Sequence, residues 1–117
     1  MPETTHYTRI QWLPPEMGGR IQPPTGPLYT PTVRFAEDPL DKQFSVVFRL
    51  SPGQAANGAT MQEAELGLLF PDRLTEIGPA LQPGRLLLVH EGRRVVGLCT
   101  IIRSCAVEPS SATGQTR

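Results

Sequence analysis

In Phe44-Ser-Val-Val-Phe-Arg-Leu50 every second residue is apolar, so Phe44, Val46, Phe48 and Leu50 share one side and Arg49 takes the other. Successive side chains of a strand face opposite sides, and this period of two predicts a half-buried β-strand. The alternation recurs at residues 8 to 13, where Ile10 and Trp12 oppose Arg9 and Gln11, and more briefly at Thr32–Phe35. Residues 64 to 70 predict a fourth strand, with Leu66, Leu68 and Phe70 on one face and a stop at Pro71, which has no N–H to give to a ladder. Residues 86 to 90 and 95 to 102 supply the fifth and sixth. Asp72 to Gly78 has room for one helical turn and is read as a loop with local structure. Six short strands separated by turns, with no helix long enough to cross over a parallel sheet, predict an all-β antiparallel sandwich or closed barrel.

Between these strands the chain is punctuated by proline and glycine. Residues 14 to 31 contain Pro14, Pro15, Pro23, Pro24, Pro27 and Pro31 with Gly18, Gly19 and Gly26, which predicts a long stiff loop without regular structure. Residues 51 to 60 predict a softer loop. Residues 1 to 7 and 104 to 117 are expected to be flexible ends around a single domain at 8 to 103, since 117 residues provide one core and not two.

Charge narrows the function. Eleven basic and eleven acidic residues give a formal net charge of zero, so the chain as a whole exerts no long-range pull on nucleic acid or an anionic membrane. Locally the balance shifts: residues 83 to 103 hold four arginines against the single Glu91, the only modest basic patch. No run approaches the roughly 18 apolar residues that span a bilayer. Two cysteines do not make a disulfide framework, and a reducing, cytoplasmic setting is expected. The only lysine, Lys42, has no glycine cradle, so neither a phosphate loop nor GTP binding is expected. His6, His90, Cys99 and Cys105 show no metal-ligand spacing, and no metal or other cofactor is expected. One nucleophilic combination exists on paper: Cys99 or Cys105 with His90 as base and Glu91 to orient it. Nothing in the spacing brings these together. A core or rim cysteine and a strand-end histidine are expected instead, and the chain is read as non-enzymatic. Trp12, alternating with Ile10, is likewise expected in the core.

The stretch Gly84-Arg-Leu-Leu-Leu-Val-His-Glu-Gly-Arg-Arg-Val-Val-Gly97 resembles the last hairpin of the C-terminal (third) β-barrel domain of translation elongation factor Tu, G-L-R-F-A-I-R-E-G-G-R-T-V-G. Gly84, Glu91, Gly92, Arg94, Val96 and Gly97 stand where that pattern has the same residue. Upstream, the strand at residues 8 to 13 followed by Glu16-Met-Gly18-Gly19-Arg20 is similar to that family's strand and E-E-G-G-R, and Tyr29, Pro31 and Phe35 to its Y-R-P-Q-F-Y-F. Residues 66 to 71 are similar to its V-x-L-I-x-P strand. The resemblance covers about residues 8 to 102. It departs where the family's M-P-G-D loop is replaced by Ser51-Pro-Gly-Gln-Ala-Ala-Asn-Gly58, and these 117 residues hold neither the GTPase domain nor the middle barrel.

The resemblance implies a six-stranded antiparallel β-barrel acting as a binding module. It places Glu91 and Gly92, with Arg93 and Arg94 beside them, at an edge that faces tRNA in the full factor. Gly18, Gly19 and Arg20 belong to the second matching loop. A protein partner, contacted through the 14 to 31 loop and the 90 to 94 turn, is expected over RNA or tRNA, because a few arginines on a neutral chain neutralise few phosphates.

Overall fold

In the computed structural model, residues 3–22, 24, 26–51, 61–69 and 77–107 are described. Seven strands form one antiparallel sheet: β1 Glu3–Trp12, β2 Leu28–Tyr29, β3 Thr32–Phe35, β4 Phe44–Leu50, β5 Met61–Leu68, β6 Leu86–Glu91 and β7 Arg94–Val107. Six of them close a barrel in the order β4-β3-β6-β7-β1-β5, with β5 pairing back onto β4; β2 is an addition that pairs with β4 alone. The all-β antiparallel barrel expected from the sequence is therefore present. Closure leaves no open ladder among the six, which removes the usual route to edge-to-edge association.

The period of two explains the interior. Ile10, Trp12, Val33, Phe35, Phe44, Val46, Phe48, Leu50, Ala64, Leu66, Leu87, Val89, Cys99 and Ile101 are all buried in one cluster. Phe48, Val46, Val33, Ile10, Leu87 and Val89 are wholly enclosed.

Several details depart from the sequence reading. Residues 28 and 29, expected within an irregular loop, form β2: Leu28 lies opposite Arg49 and Tyr29 opposite Phe48. The first half of β4 pairs with β3, and β2 occupies the same edge of its second half, so the Thr30-Pro31 step shifts one chain segment from ladder to ladder. β5 starts three residues before the expected Ala64, because Gln62 faces inward to meet Trp12. Phe70, Pro71 and the turn expected at 72 to 76 lie outside the described residues, as do the loop at 52 to 60 and the tail from 108.

The ladder between β1 and β7 runs from Trp12↔Gly97 to Glu3↔Val107, past the 8 to 103 limits expected for the domain. That end carries no apolar alternation, so the hydrophobic pattern does not announce it; backbone pairing defines it, joined by the His6–Ser104 side-chain hydrogen bond and by Arg103 over the Tyr7 ring. Two register shifts also break the parity that a simple reading assumes. Tyr7 lies opposite Arg103 but Thr8 opposite Ile101, which leaves Ile102 as the extra residue, 44% exposed. Val89 lies opposite Gly97 but His90 opposite Val95, so Val96 is inserted and both Val96 and Gly97 are buried. A bulge of this kind re-aims the side chains beyond it. Here it lies just before the β6–β7 turn.

Candidate functional site

The turn between β6 and β7 is two residues, Gly92 and Arg93, between the paired Glu91 and Arg94. Gly92 has φ +66°, and no residue other than glycine takes positive φ in the described chain. Glycine at the first central position is what a type II′ hairpin turn requires, and such turns match the right-handed twist of the strands they join. The Glu-Gly signal thus has a local cause.

The other segment is built with equal economy. After β1, the chain makes a single 3-10 turn at Pro15–Met17, with proline at its first position, where no N–H is missed. It ends in paired reverse bonds: Gly19 N–H donates to Pro14 O at 3.0 Å and Gly18 N–H to Pro15 O at 3.0 Å, with Gly18 at φ +93°. This is a Schellman-type closure, which favours glycine at the left-handed position. Gly19 is needed for a different reason, since a β-carbon there would sit 1.8 Å from Leu13 O. Two consecutive glycines therefore turn the chain back on itself and project Arg20.

These two segments, far apart in sequence, meet in space. Arg20 forms an ion pair with Glu91 Oε2, and the Tyr29 hydroxyl donates to the same oxygen at 2.5 Å. Arg94 reaches Glu91 Oε1 at 3.4 Å, and Arg20 lies 5.7 Å over the Tyr29 ring. Tyr29 in turn packs edge-on against Trp12, ring centroids 5.7 Å apart, and stacks on Phe48 at 6.4 Å. The polar cluster is thus anchored in the core through one aromatic side chain. Between residues 19 to 22 and Glu91 and Arg94 lies a shallow cavity of about 440 Å³, widely open to solvent.

Of the residues singled out in the sequence, Glu91, Arg94, Gly18, Gly19 and Arg20 gather here, with Gly92 forming the turn. Arg93 is exposed at its tip. The role of Tyr29 as the hinge between cluster and core carried no sequence signal of its own beyond its place in the resemblance.

The electrostatics are those of a locked carboxylate. Burial works against the charge of Glu91, but hydrogen bonds from Tyr29 and Arg20 and the positive charges of Arg20 and Arg94 hold its carboxyl below the usual range. Burial and the Glu91 carboxylate push the Tyr29 phenol well above its ordinary value, so it remains a donor. Glu91 is thereby occupied by internal partners.

His90 lies beside this cluster, only 1% exposed, and accepts a hydrogen bond at Nε2 from Arg34 Nε at 3.0 Å. Burial lowers its pKa and the Arg34 charge adds to this, while the carbonyls of Gly92 and Arg93 pull the other way. His6, with Nδ1 2.7 Å from Ser104 Oγ, is also lowered by burial. Both imidazoles carry folded-state pKa values below the unfolded value of 6.5, so the unfolded chain binds the extra proton in acid. Their contribution is whole above about pH 6.5 and is lost as pH falls through the folded values. Glu91 has the same sign, with a contribution lost as pH falls below the ordinary glutamate value of 4.5. The melting temperature is therefore expected to fall steadily from neutral pH to about pH 5 and faster below about pH 4. A melting temperature that stays level across that range in differential scanning fluorimetry would overturn the assignment.

The cysteine combination is not assembled. Cys99 lies opposite Leu87, three ladder steps from His90, and burial pushes its thiol up to about 12 against a small opposing effect of Thr8. Cys105 accepts from Arg103 Nη1 at 3.6 Å. Among the described residues there is no cluster of three or more His, Cys, Asp or Glu side chains able to hold a metal ion, and no helix is long and apolar enough to cross a membrane.

Comparison with known proteins leaves the site to speak for itself. The chain matches no protein-family model and no curated protein sequence.

Proposed function

We propose that this chain is a non-catalytic binding module, similar to the C-terminal β-barrel domain of elongation factor Tu, that contacts a protein partner through the 14 to 31 loop and the 90 to 94 turn. One observation carries the reading. The Gly18-Gly19-Arg20 loop and the Glu91-to-Arg94 turn, the two stretches that support the resemblance, join at one surface through Arg20, Glu91 and Tyr29. A constellation held by the core in this way presents a rigid face, which suits recognition at a low entropic cost.

A protein partner is preferred over RNA on charge. The net charge is zero, and Glu91 stands among the arginines at the centre of the surface. Each phosphate contact adds about one unit to the salt dependence of nucleic-acid binding, and two exposed arginines give little affinity at physiological salt. The thiol of Cys99, raised to about 12, weighs against a cysteine-dependent reaction. Both described cysteines are unpaired thiols, in keeping with a reducing cytoplasm.

The test is an affinity capture from the source cells with the tagged chain, run with and without ribonuclease, beside an Arg93→Glu, Arg94→Glu double variant. Both side chains are exposed, so the variant is expected to fold as wild type. A protein that survives ribonuclease and loses at least about tenfold in recovery with the variant supports the reading. Capture that vanishes with ribonuclease would transfer the proposal to an RNA or tRNA accessory role, and equal capture by both forms would remove this face from consideration.

A further inference from the structure

Arg20 and Arg94 line the cavity beside the turn, and Ile21, one residue beyond Arg20, lines it too. Ile21 is 87% exposed, an extreme value for an isoleucine whose neighbours are held in place. Met17, on the same loop, is 64% exposed, and Leu28, on β2, is 54% exposed. Isolated apolar residues on a surface need no explanation, but Ile21 stands in the wall of a concavity bounded by arginines, which marks a contact surface there.

The charge on this surface is one-sided once internal pairs are set aside. Glu91 neutralises Arg20 and accepts from Tyr29, and its reach to Arg94 is a loose 3.4 Å. Among the described residues the Arg93 side chain makes no hydrogen bond or ion pair, and it is exposed. Arg94 thus lines the cavity, with Arg93 exposed at the adjoining turn tip; Ile21 is the apolar side chain of a wall completed by Gly19, Arg20, Gln22 and Glu91, and Glu16 is the other acid on the loop. Among the described residues β2 ends the sheet order and pairs with β4 alone, so that its other edge carries no ladder there. Tyr29 ties that strand to the cavity wall through Glu91. An open edge next to a cavity favours an extended ligand, whose backbone adds to a ladder and whose alternate side chains enter pockets.

We propose that this cavity and its rim take an extended acidic peptide segment, with an Asp or Glu carboxylate on Arg94 and Arg93 and a neighbouring aliphatic or aromatic side chain on Ile21. The inference rests on the protein-binding role above and names the chemistry of the partner. A nucleic acid would meet the same two arginines, but it would gain nothing from the exposed Ile21. An acidic peptide uses both the charge and the apolar surface. Charge-assisted pairs to arginine are bidentate and set register, while the apolar contact supplies affinity that salt does not screen.

The test is selection from a phage-displayed library of random dodecamer peptides on the immobilised full chain. The best enriched peptide, labelled with fluorescein, is then measured by fluorescence anisotropy against wild type, Arg93→Glu, Arg94→Glu and Ile21→Asp. The expected result is enrichment of Asp or Glu adjacent to Leu, Ile, Val, Met or Phe, with affinity reduced at least about tenfold by each variant and unchanged circular dichroism spectra. Enrichment without acidic residues, no enrichment at all, or an acidic peptide indifferent to the three substitutions would overturn the proposal. So would displacement of the selected peptide by an RNA hairpin at physiological salt. The two readings fail separately: a protein captured through Arg93 and Arg94 that is not competed by the selected peptides would leave the protein-binding role standing and remove the acidic-peptide assignment.

Discussion

Gly19→Ala is expected to cost roughly 3 kcal/mol and to release Arg20 from Glu91, although it adds a single methyl group. The added carbon would lie 1.8 Å from the Leu13 carbonyl oxygen and 2.4 Å from its carbon, both backbone atoms. Leu13 has no freedom to retreat, because its N–H donates to Val96 O at 3.0 Å and so ties it to β7. Gly19 has none either, because its own N–H closes the turn onto Pro14 O. The loop must therefore open. Gly18→Ala supplies the contrast, for its added carbon would meet nothing closer than Arg94 Cγ at 3.8 Å and the penalty comes only from φ +93°. That conformation costs an alanine about 1 to 2 kcal/mol, and asparagine less. Urea denaturation of the two variants decides the matter. Equal and small losses would mean that the turn does not hold the chain as tightly as the bonds imply.

Trp12→Ala is expected to have the largest effect on stability, roughly 3 to 5 kcal/mol from the lost side chain. A further cost of about 1 to 2 kcal/mol is expected because the Gln62 amide oxygen would lose its donor. Trp12 is 5% exposed, and its Nε1–H donates to Gln62 Oε1 at 3.0 Å, with Gln62 itself buried. The ring also braces Tyr29 edge-on, so its removal undermines the Arg20–Glu91–Tyr29 cluster from beneath. Gly97, opposite Trp12 in the ladder, makes room for it: a β-carbon there would lie 3.2 Å from Trp12 Cε3. Small domains have a total stability of about 5 to 15 kcal/mol, so the variant is expected to be largely unfolded at room temperature by far-ultraviolet circular dichroism. Trp12→Phe should retain most of the fold. A cooperative native transition in the alanine variant close to that of wild type would show that the barrel end is not packed on this residue.

The strands were legible where one face is apolar and the other polar. Phe44 to Leu50 reads correctly residue by residue because β4 has the core on one side and water on the other. The alternation misleads in β7, where Val96 is inserted opposite β6 and shifts the parity of the turn relative to Cys99 and Ile101. A bulge adds a residue without changing its type, so it leaves no trace in a hydrophobic pattern. β2 was missed for another reason: two residues between prolines have too little length for a period, and only the free edge of β4 makes them a strand. Pairing at the polar end of β1 was hidden in the same way, since backbone hydrogen bonds do not depend on side-chain polarity.

The sequence by itself determined the fold class, the main inward face of most strands, the glycine turn at 92, and the burial of Trp12. These follow from local rules, namely the period of the chain, the φ angles open to glycine and the donors missing from proline. The turn closed by Gly18 and Gly19, by contrast, was hidden in a segment that reads as irregular loop. Only the tertiary structure decided that the loop after β1 meets the β6–β7 turn, that Glu91 is held internally by Arg20 and Tyr29, and that Ile21 and Arg94 line one cavity. Those contacts join residues separated by more than sixty positions, as in Tyr29 with Glu91 and Arg20 with Glu91, at 62 and 71. Barrel closure brings them together, and closure depends on how all six strands pair, which no single stretch of the chain records.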